Sequence, residues 1–600
     1  MLLLGINDSH DASACLMRDG KVILAIQEER FQRIKGIAGF PLEAVRFIFK
    51  HQGITAADLD EVAVASTHLV PTNLFNMYAS FSIDDFFELQ EQYYYPRIYE
   101  GKQPKLLDVF PNFKPVGKMY YPLEKQKFQT SAEMNKDELD QIQNFRRESI
   151  AKLLEVPLAK IDFYDHHLCH AYYGLYSQQG RPDTTVVVTA DGGGDGTYCT
   201  VSLFADGKLT TLERNRTNII AKLYSTTTLI MGMRPNEHEY KIMGLAPYSA
   251  EHQKKAARKI FLDALDVDGL GFKKNPAVKD FYHYFKSRLQ RLRFDGIAGG
   301  LQDFVEIRLS AWFENIYEAT KCSRFIFSGG LANNVKANKA IAEKPFVDSF
   351  FVPPGPGDES ISIGACYLAL EKLKGKTAYI STTGFQDAYL GQDVDPQDFE
   401  KFVNSSFIRE EFKRIEKADY SQVAKVLAQG EVIALINGRM EFGSRALGAR
   451  SFIADPSRSD TVRKINELVK KRDFWMPFTP SILDEDYDRY VYNPKMIDSS
   501  FMTTSFDSKE DYRKQIISTL HPHDFTVRPQ RVCESTNPVY YRILKAFKEL
   551  TGIGVVLNTS LNIHGKPIVC QPTDLEKELL KEGSVRLNHL FICGDLFIRK

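Results

Sequence analysis

Leu2 to Ile6 is a short apolar run broken by one glycine, and a polar stretch, NDSHDAS, follows at once. Ala14 to Met17 is apolar again, Asp19-Gly20 is a turn pair, and Val22 to Ile26 is apolar once more. This pattern predicts a strand, a polar loop and a hairpin. From Thr185 the same plan recurs: an apolar strand, the loop DGGGDGT, a second strand, an Asp206-Gly207 turn and a third strand. Two copies of one plan, about 180 residues apart, suit a two-lobed α/β nucleotide-binding fold.

Between the copies, residues 70–160 are rich in aromatic and charged side chains and read as a largely helical insertion, suited to a lid. Residues 251–320 also read as helical. Arg324 to Phe327 is a short strand that enters SGGLANN and a helix, VKANKAIAE, and a small-residue helix, SISIGACYLALEKLKG, follows Asp358. The polar, Gly/Thr-rich stretch 373–390 reads as an interdomain linker. Beyond it, helices mix with strands such as Val432 to Ile436 and Val555 to Leu557. A chain of 600 residues exceeds one hydrophobic core. Two domains are therefore expected, 1–372 with the insertion and 386–600.

Charge and composition narrow the function classes. Lys plus Arg (77) equals Asp plus Glu (77), so no whole-chain argument favours nucleic acid or an acidic membrane. Any basic site must be local. No apolar run approaches the ~18 residues of a membrane helix, and the N-terminal run reads as neither signal peptide nor span. The eight cysteines are scattered without a CxxC pair, which points to reduced thiols in a cytoplasmic protein and away from thiolate zinc.

Four groups of residues carry candidate chemistry. In DHHLCHA, His166 and His170 stand four apart, so a helix puts both imidazoles on one face. Asp358, in the Gly-rich PPGPGDES, is the natural third ligand, and two His with one carboxylate suit an open divalent site of Fe(II) type. The loops DGGGDGT, SGGLANN and PPGPGD offer amides to phosphate, with Asp191, Gly192, Gly193, Gly329, Gly330 and Asn333 as candidates. None matches a P-loop or a Rossmann fingerprint, which leaves an actin/Hsp70-type phosphate clamp. His10, beside Asp11 in the first polar loop, is a candidate general base. In the C-terminal half, Arg439, Arg445, Arg450, Lys470, Arg472 and Arg528 are interleaved with glycines and apolar residues instead of acids. Such forks suit a small dianion and a nucleotide phosphate. LNTSLNIHGKP adds Asn558, Thr559, Ser560 and Asn562, apt for a neutral amide or a ribose.

Taken in order, GINDSHDASACL, DHHLCHAYYG, DGGGDG, KIMGLAPY, SGGLANN, PPGPGDES, GRMEFGSRALGARS, VKKRDF, HDFTVRPQ and LNTSLN resemble the O-carbamoyltransferases of nodulation-factor, cephamycin and tobramycin biosynthesis. The likeness covers nearly the whole chain except about 70–160. Ser444 stands where the family pattern has Pro, and Met476 where it often has Arg. The resemblance implies an actin/Hsp70-like, TsaD-like transfer domain followed by a YrdC-like domain. It implies that the second makes carbamoyl-adenylate from carbamoyl phosphate and ATP with Mg2+. The first would pass the carbamoyl group to a hydroxyl of a small natural product. It further implies that His166, His170 and Asp358 hold Fe2+, that His10 acts in transfer, and that Arg445, Lys470 and Arg528 handle carbamoyl phosphate and the adenylate.

An actin/Hsp70-class small-molecule kinase would explain the Gly loops but not HxxxH or the Arg-rich half. A tRNA threonylcarbamoyl-type enzyme would want a basic surface that neutral net charge does not supply. Neither nucleic acid nor membrane is expected as a partner, and a homodimer is left open. The acceptor is not written in a motif. Asp84, Asp85, Glu88 and Glu91 fall at helical spacing ahead of Tyr93, Tyr94 and Tyr95, which reads first as a solvated acidic helix over a local aromatic core and, as the bolder alternative, as a site for a cationic acceptor.

Overall fold

The first apolar run becomes β1 (Leu2–Asn7), buried along its whole length. It pairs antiparallel with β2 (Ser13–Arg18), which pairs antiparallel with β3 (Lys21–Gln27). On its other side β1 runs parallel to β4 (Glu61–Ala65), and β4 parallel to β5 (Ile161–Tyr164). The computed structural model describes residues 1–68, 80–112, 114, 116–118, 120–121, 135–180, 182–216, 220–375, 382–471, 473–583 and 585–600. These form two units, Met1–Gly384 and Phe385–Lys600.

The second copy builds an equivalent sheet. Its strands are β6 (Thr185–Gly194), β7 (Thr197–Ala205) and β8 (Lys208–Asn215), with β11 (Arg324–Ser328) and β12 (Ser349–Phe351) further along the chain. The orders β3-β2-β1-β4-β5 and β8-β7-β6-β11-β12 are the same topology. Three strands are antiparallel and two parallel, with the first strand of each copy at the centre. This is the duplicated, two-lobed actin/Hsp70-like arrangement. The polar loops after β1 and β6 leave the sheets at the switch from antiparallel to parallel pairing, where α/β sheets open a crevice.

The segments differ from expectation where local pattern meets tertiary packing. Residues 251–320 are not continuously helical: a hairpin of β9 (Leu265–Asp268) and β10 (Gly271–Lys274) interrupts them. Within 70–160, the helix α2 (Lys136–Leu154) contributes Ile150 and Leu154 to the core under β1, so this end of the insertion is integral. The same core covers α1 (Leu42–Gln52) through Val45 and Ile48. The helical run Ile83–Tyr99, with a π-turn at Leu89–Tyr94, packs a separate core of Phe86, Leu89 and Tyr93 with Leu229 and Tyr282. Residues 69–79 and 122–134 of the insertion lie outside the described residues.

Two helices position the site, α3 (His166–Ser177) and α5 (Ile361–Lys374), with the long α4 (Phe294–Thr320) between them in the chain. A Cβ on Gly5 of β1 would stand 1.9 Å from the Ser362 carbonyl oxygen, and one on Gly364 would stand 1.9 Å from that of Cys169. Helix α5 therefore lies tight against both β1 and α3.

The second unit has one mixed sheet, ordered β13-β23-β22-β14-β15-β21-β16-β20 among the described residues. Its strands are β13 (Phe412–Ile415), β14 (Ile433–Ile436), β15 (Arg450–Ala454), β16 (Thr479–Leu483), β20 (Gln530–Val532), β21 (Val555–Ser560), β22 (His589–Ile592) and β23 (Asp595–Arg599). A small sheet of β17 (Val491–Tyr492), β18 (Phe506–Ser508) and β19 (Thr526–Val527) accompanies it. Helices α6 (Tyr420–Ala428) and α7 (Pro538–Thr551) supply Val423, Leu427, Ile543 and Phe547 to one core. The last part of the expected linker belongs to this unit, because the Phe442 amide donates to the Ala388 carbonyl and the Gly391 amide to that of Met440. No helix among the described residues is long and apolar enough to cross a membrane.

Candidate active site

Helix α3 starts at Asp165, whose carboxylate accepts the Leu168 amide at 2.9 Å as an N-cap and pairs with Arg214 at 2.7 Å. One turn in, the Nε2 atoms of His166 and His170 stand 3.2 Å apart. Asp358 Oδ1 lies 3.4 Å from the first and 3.2 Å from the second, and Asp191 Oδ2 lies 3.6 Å from His166 Nε2. All four side chains are buried, and one donor atom of each falls within 4.8 Å of the others. Two imidazole nitrogens facing each other beside two carboxylates form a donor set for a cation. Its nitrogen–oxygen chemistry fits a divalent ion of Fe(II) type. The structure thus brings together His166 and His170, paired by their spacing, and Asp358, singled out by its Gly-rich loop, and adds Asp191.

Asp191 is the main difference from the sequence reading, which puts it on phosphate. Its Oδ1 accepts the Gly330 amide at 2.7 Å and its Oδ2 the Gly193 amide at 3.3 Å. Those two amides hold the carboxylate toward the histidines, so they are not presented to phosphate as expected. Gly329 has a close approach of its own: its φ is 96°, and a Cβ there would sit 2.3 Å from the Ala190 carbonyl oxygen. Its amide donates to Pro356 at 2.8 Å, which ties SGGLANN to PPGPGD, and Asn333 Nδ2 flanks Gly357. Gly192 remains an exposed amide position in the loop.

His10 lies at the edge of the same cluster. Its Nε2 is 2.8 Å from Asp358 Oδ2 and its Nδ1 is 3.0 Å from Asp11 Oδ2. Burial works against a charge on His10, but Asp358 and Asp11 outweigh it and hold the ring well above its ordinary value. His166 behaves alike, with Asp358 and Asp191 overcoming burial. Burial and Asp358 work to raise Asp191, but His166 and His170 hold it at about 2. His167, by contrast, is pushed down to about 3 by burial and by the charge of its two neighbours. Its Nδ1 meets Thr189 Oγ1 at 2.7 Å and its Nε2 the Thr197 carbonyl at 3.0 Å, a structural role. Asn7 is a residue that the motif search missed although it sits inside GINDSHDAS. Its Nδ2 donates to the carbonyls of His10, Asp11 and Asp358 at 3.0, 3.3 and 2.9 Å, stapling the first loop to the Asp358 loop.

In the second unit, the segments carrying the basic residues meet at the C-terminal end of β21. Glu441 Oε1 accepts the amides of Leu447, Ala449 and Arg450 at 2.8, 2.7 and 3.0 Å, folding the loop that carries Arg445 around a carboxylate. Gln530, two residues beyond Arg528, donates to the Leu447 carbonyl at 2.7 Å. Lys470 is buried, and its ammonium donates to Ser560 Oγ at 3.1 Å and to Asn562 Oδ1 at 2.6 Å. Arg445 and Arg528 are half-buried beside these segments, and Thr559 is buried in β21.

Other expected phosphate ligands make contacts within the fold. Asn558 is fully buried, and its Nδ2 reaches the Ala446 carbonyl at 3.0 Å, Ser481 Oγ at 3.0 Å and Gln530 Oε1 at 3.2 Å. Arg439 donates to the carbonyls of Gly391 and Leu390 at 3.1 and 2.8 Å. Arg450, fully buried, donates to the Cys570 carbonyl at 2.8 Å. Arg472 lies outside the described residues. Half of the acidic run of the insertion is tied up within the fold. Asp85 accepts the Ser82 amide and hydroxyl in a capping box, Glu91 pairs with Lys286 at 2.6 Å and Tyr93 is core, while Asp84 and Glu88 are exposed.

A duplicated actin-like unit with a buried His/His/Asp/Asp cluster, followed by a mixed α/β unit that carries Arg445, Lys470 and Arg528, makes a two-part architecture. The chain belongs to the carbamoyltransferase family: residues 2–367 match the carbamoyltransferase N-terminus and residues 424–600 the carbamoyltransferase C-terminus. Among curated relatives is an uncharacterised protein of Methanocaldococcus jannaschii, 31% identical over 462 residues, covering 73% of this chain and 74% of the relative. A second from the same organism is 28% identical and covers 97% of both chains. Nodulation protein NolNO of Sinorhizobium fredii is 28% identical and covers 94% of this chain and 76% of its own. Of solved structures, full-length HypF in its phosphate- and nucleotide-bound form is 11% identical, with a TM-score of 0.27 over 41% of this chain and 43% of that one.

Proposed function

We propose that the chain is an ATP-dependent O-carbamoyltransferase. The second, YrdC-like unit makes carbamoyl-adenylate from carbamoyl phosphate and ATP, with Mg2+ accompanying the nucleotide. The first passes the carbamoyl group to a hydroxyl of a small acceptor. The observation that carries this reading is the buried cluster of His166, His170, Asp191 and Asp358 with His10 bonded to the same Asp358, in a chain matching both halves of the family.

Carbamoyl phosphate first loses phosphate to water, leaving carbamate. A carbamate oxygen attacks the α-phosphorus of ATP, pyrophosphate leaves, and a mixed anhydride with AMP results. Carbamate is a poor electrophile because its nitrogen donates into the carbonyl, and the anhydride supplies a good leaving group. Arg445, Lys470 and Arg528 neutralise the phosphate and carbamate charge. In the first unit the acceptor oxygen forms a bond to the carbamoyl carbon while the bond to AMP breaks with its electron pair. The acceptor proton leaves with AMP, whose phosphate takes it up, while the His10 imidazolium, held between Asp358 and Asp11, stabilises the negative charge that develops in transfer. A divalent ion held by His166, His170, Asp191 and Asp358 would supply a Lewis acid for the developing oxyanion. Burial of the cluster limits loss of the labile carbamoyl group to water.

The test separates the half-reactions. The purified chain should show ATP–pyrophosphate exchange that depends on carbamoyl phosphate, and should add one carbamoyl group to members of a panel of hydroxylated small molecules. His166→Ala and Asp358→Ala should keep the exchange and lose the transfer. Equal loss of both activities in a folded variant would refute this division of labour.

A further inference from the structure

Helix α2 belongs to the stretch that matches no motif, yet it sends one charged side chain into the centre of the first unit. Arg146 is fully buried, as is Asp8 in the loop between Asn7 and His10. Nε and Nη2 of Arg146 donate to Asp8 Oδ2 and Oδ1 at 3.0 and 2.7 Å, a two-pronged ion pair. Tyr121 donates its hydroxyl to the same carboxylate. Both oxygens of Asp8 are thereby occupied within the fold.

A buried ion pair is weak evidence for stability, because desolvation offsets the attraction. The third contact of Arg146 suggests what this one does. Nη1 donates to the Ser66 carbonyl at 2.9 Å. Ser66 follows β4 and has a φ of 68°, a conformation that a residue with a Cβ keeps only when its surroundings impose it. The next two amides, of Thr67 and His68, donate to the Asp195 carboxylate at 2.9 and 2.7 Å. Gln143, also on α2, donates to the Thr67 carbonyl at 3.2 Å. Held from both sides, Ser66 puts its hydroxyl 2.9 Å from His166 Nδ1. An imidazole that holds a cation through one nitrogen carries its single proton on the other. With that proton on Nδ1 and directed at Ser66, the lone pair stays on Nε2, the atom that faces His170, Asp191 and Asp358.

We propose that Arg146 is a positioning residue for the transfer site. By pairing with Asp8 and gripping the Ser66 carbonyl, it sets the tautomer and orientation of His166 without touching the donor cluster. The inference rests on reading that cluster as a metal site. It also gives the unmatched helix a reason to be integral: its packing carries an electrostatic clamp into the catalytic layer.

The experiment uses the full chain and Fe2+ alone under anaerobic conditions, with affinity read by chelator competition. Wild type should bind one equivalent, and His166→Ala should not bind. Ser66→Ala and Arg146→Met should weaken binding about 10- to 100-fold, the usual effect of losing a partner behind a metal ligand. Arg146→Lys, which keeps the charge but not the fork, should fall between them and wild type. Carbamoyl-phosphate-dependent exchange by the second unit should be unchanged in all. Folded Ser66→Ala and Arg146→Met with wild-type affinity would overturn the proposal while leaving the metal reading intact. If Arg146→Met does not fold, Ser66→Ala decides alone, because it removes only the hydroxyl. A wild-type chain that binds no Fe2+ would refute the metal reading and this inference with it.

Discussion

Adding one methyl group at Gly194 should disable transfer and spare activation. Gly194 ends β6 directly beneath the His166 ring: a Cβ there would stand 2.2 Å from Cγ, 2.4 Å from Cδ2 and 2.5 Å from Nδ1. Ordinary contact starts at 3.4 Å, so the ring must retreat by the difference, 1.2 Å. Gly194 is not among the glycines with positive φ, so alanine suits the backbone and the strain falls on the ring. A retreat of that size breaks the 2.9 Å contact with Ser66 and carries Nε2 away from Asp358 and Asp191. Misplacement by about 1 Å costs about 100-fold in rate, and overpacking costs about 1–3 kcal/mol of stability. The Gly194→Ala chain should therefore show transfer reduced about 100-fold, weaker Fe2+ binding and a modestly lower melting temperature, with pyrophosphate exchange intact. Gly192→Ala is the control for metal content, since its Cβ would meet nothing within 4 Å. Wild-type Fe2+ affinity and transfer in Gly194→Ala, or a crystal structure with the ring unmoved, would refute the argument.

Three other perturbations probe different parts of the molecule. Lys470→Ala removes a buried ammonium beside Ser560 and Asn562, so exchange should fall about 10- to 100-fold, the loss of one charged contact to the anion at ~1.5–3 kcal/mol, while transfer from supplied carbamoyl-adenylate persists; near-normal exchange would place the activation chemistry elsewhere. Gly448→Ala puts a Cβ 2.1 Å from the Tyr540 ring at a φ of 94° and should lower the urea midpoint of the second unit, by about 1–3 kcal/mol of overpacking. Burial pushes Glu28 up to about 7 against its bonds from Gln32 and from the Ala44 and Glu43 amides at the start of α1. The folded chain then holds this proton more tightly than the unfolded one. Stability from Glu28 is present below its unfolded value of 4.5 and lost as pH rises through about 7. Glu28→Gln should flatten that part of the urea-midpoint profile, and an unchanged slope would count against the burial argument.

Local pattern determined much of this protein by itself. The spacing of His166 and His170 placed two imidazoles on one face because 3.6 residues make a helical turn. The duplicated run of strand, polar loop and hairpin foretold two like sheets, because alternating side chains and Asp-Gly turns are short-range properties. Asp358 was legible as a partner of the two histidines from its glycine-rich setting. What remained illegible depends on contacts between residues far apart in the chain. Asp191 looks like a phosphate-loop residue until the Gly330 amide, 139 positions away, turns its carboxylate toward His166. Asn558 looks like a ligand-binding amide until β21 takes a place inside the sheet and buries it against Ser481 and Gln530. The acidic run from Asp84 has the spacing of a binding face, but Lys286 and the Ser82 cap absorb half of it. Arg146 stands 138 positions from Asp8 on a helix whose pattern announces only an amphipathic surface. Periodicity reports which residues share a face; only the packed sheets and helices decide what that face meets, because burial and hydrogen-bond partners are set by tertiary neighbours.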